Sequence, residues 1–339
     1  MTQLSQRPAH TFWRSWKRIS FTSQMLWNKK KHSTVSAPEY DPGQEQNVVL
    51  MSQQKTLPAI PKMVWMYWHD NQLPKSMALN INKIRRDNPD HDVHLITQRT
   101  LRQWLPDLNF ISSDLTLAHK SEIIRLELLH RYGGIGIDCS TLLFENLSWV
   151  HKVHQERSMD LIGYYRERST INFLSPVTES WFLAAAPKNP FIREWLKQLA
   201  PVKNIGVQNY FQEMKKRDDF PLIVQNIENP SRQLLSLAQQ VAIREYRRIN
   251  VYLRKGEANA YYYQGLHADN SAAFARSVLF QHRPQTPPPI IKLTGKERLH
   301  LDFNLRLGVY NRTSLIGEMM HTASPAPLAL PSTINKARA

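Results

Sequence analysis

The segment 120–140 contains residue types at a spacing that could do chemistry. Its first part predicts a helix in which Glu122 and Arg125 lie on one face, as an acid beside a base. Two glycines at 133–134 can end that helix, because glycine adopts the left-handed backbone conformation without a steric penalty. A very short apolar strand then leads to Asp138. Because open α/β sheets bind ligands at the carboxyl ends of their strands, we expect this carboxylate to take part in chemistry.

Apolar runs and helix breakers predict the elements that must position these residues. Strands alternate with helices between residues 57 and 200, which indicates an α/β fold with a mostly parallel central sheet, and the later part of the chain is mostly helical. The predicted strands are 63–68, 93–96, 161–164, 278–281 and 290–293, and the predicted helices are 74–86, 101–105, 115–132, 191–199 and 233–246.

Composition limits the classes of protein that the chain can belong to. It has 339 residues and a formal net charge of +16, which favours an anionic partner. Its single cysteine, Cys139, excludes an intrachain disulfide and suits a reducing compartment. No apolar run is long enough to span a bilayer, and no secretory signal is apparent. We therefore expect a cytoplasmic protein, with peripheral association at the inner membrane face as a further hypothesis.

The basic residues are concentrated at the N-terminus. Residues 1–35 contain seven Lys and Arg and no acid, with aromatic residues near one helical face, so they predict a basic amphipathic arm that contacts an anionic membrane. A disordered basic tail is an equal alternative, and single-stranded nucleic acid is a third. We expect a linker at 36–56, a globular domain at 57–323 and a disordered tail at 324–339.

Three segments in order carry a resemblance to a known family. Residues 60–68, 120–140 and 179–187 resemble the DXD-motif glycosyltransferases, which include capsular polysaccharide synthesis proteins and yeast-type initiating mannosyltransferases. More distantly, they resemble the clostridial glucosylating toxins. The resemblance implies a GT-A type nucleotide-sugar transferase fold. It also implies that Mn²⁺ or Mg²⁺ bridges the donor diphosphate, because a hard cation stabilises the departing charge.

The resemblance implies roles for the residues of the middle segment. Asp138 stands where the family has its first motif aspartate, and Ser140 replaces the second, so both are expected metal ligands. Arg125 would bind the phosphate, and Glu122, in place of the usual aspartate, would bind the hydroxyls of the donor sugar. The alternative for Glu122 and Arg125 is an exposed ion pair on a helix, which contributes little.

Residues elsewhere in the chain are further candidates. Trp68 would stack on the nucleotide base, or else belong to the core. Ser121 and Glu179 are expected to contact substrate, although Glu179 could instead be an acid at a helix N-terminus. Late loops offer Lys292 to neutralise the leaving group and His282 to complete the metal sphere.

These observations predict a metal-dependent glycosyltransferase that transfers a sugar from a nucleotide-sugar donor to a glycan or lipid-linked acceptor in surface polysaccharide synthesis. The resemblance implies retention of the anomeric configuration. Two alternatives stay open: a non-catalytic nucleotide-sugar-binding relative, suggested by Ser140, and a basic nucleic-acid-binding protein, suggested by the net charge. We expect no nucleic-acid partner, because no nucleic-acid-binding signature accompanies the basic residues.

Overall fold

A computed structural model describes residue 31 and residues 34–322. Most of the predicted basic arm and all of the predicted tail at 324–339 lie outside the described residues. None of the helices in the described part of the chain combines the length and the apolar character needed to cross a membrane.

Nine strands and twelve helices make up the described residues, together with two short 3-10 helices. The strands are β1 Asn47–Met51, β2 Met63–Trp68, β3 Asp92–Thr97, β4 Gly134–Ile137, β5 Thr141–Leu143, β6 Leu161–Tyr165, β7 Thr178–Ala185, β8 Asn250–Lys255 and β9 Ile290–Lys292. The helices are α1 Lys75–Asp87, α2 Leu101–Trp104, α3 Leu117–Tyr132, α4 Ser148–Arg157, α5 Pro190–Leu199, α6 Val202–Lys215, α7 Phe220–Val224, α8 Leu234–Glu245, α9 Tyr262–Leu266, α10 Ser271–Leu279, α11 Gly295–Leu307 and α12 Leu315–Thr322.

The central sheet has seven strands in the order β1-β8-β6-β7-β4-β2-β3. Five of them run in one direction, because only β7 and β1 are antiparallel to their neighbours. The carboxyl ends of β2, β4 and β6 therefore meet at one edge, where β7 begins. This confirms the predicted α/β fold with a mostly parallel sheet and a helical C-terminal portion.

A second, two-stranded sheet lies beside this edge. Strands β5 and β9 pair antiparallel, and their register places Lys292 opposite Thr141. The backbone N–H of Leu293 also donates to the carbonyl of Ser140 at 2.8 Å. Residues far apart in the sequence are thereby brought next to the end of β4.

Hydrophobic clusters cover the two faces of the central sheet. Because side chains alternate along a strand, Val64 and Met66 of β2 join one cluster and Trp65 joins the other. Helices α1, α10, α11 and α12 contribute to the first cluster, and helices α3, α5 and α8 to the second. The sheet is therefore a central layer between helices, as parallel sheets require.

The turn between α3 and β4 depends on the predicted glycine pair. Gly133 and Gly134 have φ values of 67° and 101°, which favour glycine. A Cβ at Gly134 would also lie 2.5 Å from the carbonyl oxygen of Met63. The pair allows β4 to start directly after the helix and to lie against β2.

Two sequence predictions about the elements were wrong. Part of the predicted linker at 36–56 is strand β1, which pairs with β8, because its apolar side chains pack on both faces of the sheet. Ala37 and Tyr40 are also buried. The predicted strand at 278–281 overlaps the end of α10, which Asn270 caps by accepting hydrogen bonds from two backbone N–H groups.

Candidate active site

Asp138 follows β4 directly and is held in a tight turn. Its backbone N–H donates to the carbonyl of Trp181 at 2.8 Å, and its carbonyl accepts from the N–H of Thr141 at 3.0 Å. The backbone N–H and the hydroxyl of Ser140 both donate to Oδ1 of Asp138, at 2.9 and 2.8 Å. The side chain of Asp138 is 33% exposed, so Oδ2 faces a cleft at the edge of the sheet.

Two cations approach that free oxygen. The Nζ atom of Lys292 lies 3.4 Å from Oδ2 of Asp138, and Nη2 of Arg125 lies 4.0 Å from it. Burial by itself raises the pKa of the Asp138 carboxyl. The Lys292 and Arg125 charges and the two hydrogen bonds from Ser140 outweigh this effect and hold the pKa well below its usual range. Asp138 is thus an ionised carboxylate between two cations.

Arg125 is buried, with 5% of its side chain exposed. Its Nη1 donates to the carbonyl of Ser180 at 2.6 Å, and its aliphatic stem crosses Gly136. A Cβ at Gly136 would lie 2.5 Å from Cγ of Arg125, so the glycine provides the space for this side chain. The predicted alternative of an exposed ion pair with Glu122 is therefore wrong for Arg125, which reaches across β4 to β7.

Glu122 lies beside Arg125 and also faces the cleft. The hydroxyl of Ser180 donates to its Oε1 at 2.8 Å. Burial raises the pKa of the Glu122 carboxyl, and the Ser180 hydrogen bond and the Arg125 charge counteract this only in part. Helix α3 and strand β7 therefore place the Glu122 carboxyl next to Asp138. The pKa of Glu122 is raised, whereas that of Asp138 is lowered.

The cleft has two chambers that share Asp138, Lys292 and Tyr261. The first chamber, which we call the acidic chamber, has a volume of about 360 Å³. Its other lining includes several polar and charged residues from α3, from β7 and from the segments that follow β6 and precede α8: Glu122, Arg166, Ser169, Glu179, Ser180, Glu228 and Gln233.

An ion-pair network organises the far wall of the acidic chamber. Arg166 pairs with Glu179 at 3.3 Å and with Glu257 at 3.5 Å, and its guanidinium lies 4.3 Å from the centre of the Tyr261 ring. Burial raises the pKa of Glu179 despite the nearby Arg166 charge. Glu179 belongs to β7, so the alternative of an acid at a helix N-terminus is wrong.

The second chamber, which we call the aromatic chamber, has a volume of about 420 Å³. The Arg298 guanidinium lies 5.4 Å from the centre of the Trp68 ring. Trp68 is half-buried and packs on the core, as the second interpretation predicts, and stacking on a nucleotide base stays a prediction. Other lining residues come from the end of β2 and just after it, from α3, from the turn after β4 and from the segment that leads into α11: Tyr67, His69, Leu117, Ala118, Ser121, Ser140, Leu293, Thr294 and Gly295.

Seven of the predicted site residues meet at this cleft: Trp68, Ser121, Glu122, Asp138, Ser140, Glu179 and Lys292 line it, and Arg125 contacts Asp138 from behind. Sequence reasoning missed Arg166 and Arg298. Arg166 immediately follows β6, and a charged residue directly after a parallel strand could have indicated a site residue. Arg298 gave no such signal, because it lies one turn into a helix.

His282 does not reach the cleft. Its Nδ1 lies 2.6 Å from Oγ1 of Thr313, and its backbone pairs with Ser36. It lines neither chamber, so the structure does not bring the predicted third metal ligand to Asp138. The reason is that α10 ends at Leu279, and the chain then turns toward the segment around residue 36 instead of forming a strand.

The donor set at Asp138 does not fit a divalent cation held directly by the protein. Within residues 34–322, no three His, Cys, Asp or Glu side chains converge on one point. Asp138 and Ser140 supply two oxygens, and the Lys292 ammonium donates to Ser140 Oγ at 2.5 Å. Mn²⁺ and Mg²⁺ take six oxygen ligands, and Mg²⁺ is usually held by one or two carboxylates together with waters and substrate phosphates. The protein alone offers fewer oxygens than this at Asp138, and it places two cations beside them. The expected metal cofactor stays a prediction, and no step below depends on it.

Comparison with known proteins gives the class to which this fold and site belong. The family described as "Capsular polysaccharide synthesis protein" matches residues 17–246, which is more than half of the chain. The chain therefore belongs to the capsular polysaccharide synthesis protein family, and this confirms the capsular branch of the resemblance.

Individual relatives are more distant. O-glycosyltransferase braB from Annulohypoxylon truncatum is 30% identical over 158 residues, which is 40% of this chain and 36% of that protein. The chain thus matches little more than a third of the length of that relative. The structure of PaToxG Glycosyltransferase aligns with 68% of this chain and 86% of its own, at 16% identity and a TM-score of 0.28.

Proposed function

We propose that the protein is a glycosyltransferase that moves a sugar from a nucleotide-sugar donor to an acceptor hydroxyl. The observation that supports this most directly is the position of Asp138, with its two cations, between an aromatic, basic chamber and an acidic one. A nucleotide sugar has the same division, because it joins a flat base and a diphosphate to a polyhydroxylated ring. Family membership and the name of the O-glycosyltransferase relative support the same proposal.

The nucleotide would occupy the aromatic chamber. Trp68 offers a flat partially exposed ring for stacking, and Arg298 beside it adds a positive charge. The diphosphate would then lie at the junction of the chambers, near the ammonium of Lys292 and the guanidinium of Arg125.

The transferred sugar and the acceptor would occupy the acidic chamber. Carboxylates accept hydrogen bonds, and sugar hydroxyls supply many donors, so Glu122 and Glu179 suit this ligand. The Arg166–Glu179–Glu257 network fixes one wall, which favours a defined orientation of the acceptor.

The proposed reaction is the one that the family resemblance implies, with the substrates placed in this way. The bond between the anomeric carbon and the diphosphate oxygen breaks, and its electron pair stays on the diphosphate. The acceptor oxygen forms the new bond to that carbon, and a diphosphate oxygen takes the acceptor proton, so no side-chain base is needed. The cations at Asp138 face the charge that develops on the leaving group. Retention of the anomeric configuration belongs to this proposal, and nuclear magnetic resonance of the first-formed product tests it.

A nucleotide-sugar screen tests the activity. A donor should raise the melting temperature of the protein, because a ligand that binds only the folded form stabilises it. Turnover of that donor should fall by about 10²–10³-fold in Asp138→Asn, because the carboxylate holds both cations in place. Asp107→Asn is the matched control, since Asp107 is exposed and pairs only with Arg131 on the surface.

The outcomes separate the alternatives. Donor binding with no hydrolysis or transfer would identify a non-catalytic relative. Salt-sensitive binding to random DNA that Asp138→Asn leaves unchanged, with no response to any nucleotide sugar, would instead favour a nucleic-acid-binding protein.

A glycan or lipid-linked acceptor in surface polysaccharide synthesis, and contact of the basic arm with an anionic membrane, are parts of the same proposal. Family membership supports the first. The seven basic residues of 1–35 support the second. Deletion of residues 1–30 should abolish flotation with anionic vesicles, and unchanged flotation would remove the membrane hypothesis.

A further inference from the structure

Backbone pairing fixes Lys292 in the place where a metal was expected. Strand β9 lies antiparallel to β5, and the backbone N–H of Lys292 donates to the carbonyl of Ala260 at 2.9 Å. The Lys292 side chain is only 14% exposed. Its Nζ donates to Ser140 Oγ at 2.5 Å and to the carbonyl of Leu293 at 3.2 Å, and lies 3.4 Å from Oδ2 of Asp138.

The oxygens that would ligate a cation already face hydrogen-bond donors or positive charges. Ser140 Oγ donates its proton to Oδ1 of Asp138 and accepts from Lys292, so its proton and one of its two lone pairs are used. Oδ2 of Asp138 faces Lys292 and Arg125, which together carry two positive charges. A divalent ion added at Oδ2 would meet both charges at short range, and Asp138 is the carboxylate that already pairs with both of them.

We infer that the Lys292 ammonium takes the role of the divalent cation, and that sugar transfer by this chain needs no metal. This inference rests on the proposed function. Lys292 faces the diphosphate from the junction of the chambers, and as the bond to the anomeric carbon breaks, its charge stabilises the electron pair that stays on the leaving oxygen. Asp138 is then a positioning residue, which holds Lys292 and Arg125 through charge instead of ligating a metal.

The inference also accounts for Ser140. A hydroxyl can donate to Asp138 and accept from Lys292 at the same time, as it does here. A second carboxylate at this position would only accept, and its charge would oppose that of the leaving diphosphate. A hydroxyl therefore suits a lysine-based site, whereas a carboxylate suits a metal-based one.

The first test is activity without metal. Turnover of the donor in excess EDTA should equal turnover with added Mn²⁺. Lys292→Met keeps most of the apolar stem and removes the charge, so its turnover in EDTA should fall by about 10²–10³-fold. Lys296→Met is the matched control, because Lys296 is an exposed lysine four residues away that lines neither chamber. Thermal unfolding of each variant checks that it folds.

The second test is direct binding of Mn²⁺, measured by electron paramagnetic resonance on the full-length protein. We expect no bound Mn²⁺ that depends on Asp138, so the spectra of wild type and Asp138→Asn should be the same. Stoichiometric Mn²⁺ binding that Asp138→Asn abolishes would overturn the inference, as would turnover that disappears in EDTA and returns with Mn²⁺.

The two proposals fail in different ways. If no nucleotide sugar binds or reacts under any condition, the glycosyltransferase proposal is wrong. If the donor reacts only with Mn²⁺ present, that proposal stands and the role assigned to Lys292 is wrong.

Discussion

The substitution Gly136→Ala tests whether the packing of Arg125 across β4 builds the site. The new Cβ would lie 2.5 Å from Cγ and 2.8 Å from Cδ of Arg125, and both distances are too short for real contacts. Gly136 is buried in the middle of a strand, so the backbone has little freedom to move away. We expect the arginine to leave its place instead.

The expected loss of stability follows from three terms. Overpacking a core position costs about 1–3 kcal/mol. The hydrogen bond from Arg125 to the carbonyl of Ser180 is charge-assisted, and its loss costs about 1.5–3 kcal/mol. Alanine in the middle of a strand stabilises the folded state by about 0.5–1 kcal/mol relative to glycine, which offsets part of these two losses. The free energy of unfolding should therefore fall by roughly 2–5 kcal/mol.

Urea unfolding measures this change, and donor turnover measures its effect on the site. A displaced Arg125 no longer faces Asp138, so turnover should fall by about 10²-fold where the protein is still folded. Gly265→Ala is the control, because a Cβ there meets nothing within 4 Å and the residue lies in helix α9. Wild-type stability and turnover in Gly136→Ala would refute the placement of Arg125.

Two further predictions concern the chambers. Burial raises the pKa of Glu122, so its ionisation opposes folding as the pH rises through that pKa. Glu122→Gln should therefore raise the free energy of unfolding at neutral pH, but not at a pH below the ordinary pKa of glutamate, and donor turnover should fall. Urea titrations of both proteins at several pH values measure the difference in stability. Equal stability of wild type and variant at every pH would contradict the raised pKa of Glu122. Trp68→Ala should weaken nucleotide binding by roughly 1–3 kcal/mol by calorimetry, if the base stacks on this ring. Arg306→Ala, on the exposed side of α11, is the control, and unchanged affinity in Trp68→Ala would move the base elsewhere.

Local signals in the sequence were sufficient for the first half of the fold. Local residue patterns predict the conformation of β2, of helix α3 and of the glycine pair that follows the helix. Asp138 could therefore be placed at the end of a strand. The pairing of β1 with β8 could not be predicted, because polar residues around β1 hide its short apolar run. Strand β7 is missing from the predicted strands, since a strand buried on both faces shows no alternation of apolar and polar residues.

The same limit applies to the site. Glu122, Arg125 and Asp138 were predictable because one continuous segment carries them. Arg298 and Arg166 come from other segments, and only tertiary structure brings them to the cleft. His282 was predicted as a ligand on a late loop near the diphosphate, but the chain there turns toward the segment around residue 36 after α10 ends.

The topology explains why so many charges meet at one point. Strands β2, β4 and β6 run in the same direction, so the residues at their ends, Trp68, Asp138 and Arg166, lie along one edge of the sheet. Strand β7 runs the other way, so its first residues, including Glu179, lie at that edge as well. A sheet edge offers few apolar partners, and these polar side chains therefore stabilise one another through ion pairs and hydrogen bonds.

That mutual dependence makes Lys292 the decisive residue. It belongs to a separate two-stranded sheet, and it brings a positive charge from that sheet to Asp138. If a metal bound Oδ2 of Asp138, its charge would repel the Lys292 ammonium, which hydrogen bonds to Ser140 and Leu293 hold beside that oxygen. A lysine that is held by the backbone on one side and by Asp138 and Ser140 on the other is already placed to receive a diphosphate. The geometry therefore favours a site in which the Lys292 ammonium, and not a bound metal ion, is the cation that faces the diphosphate.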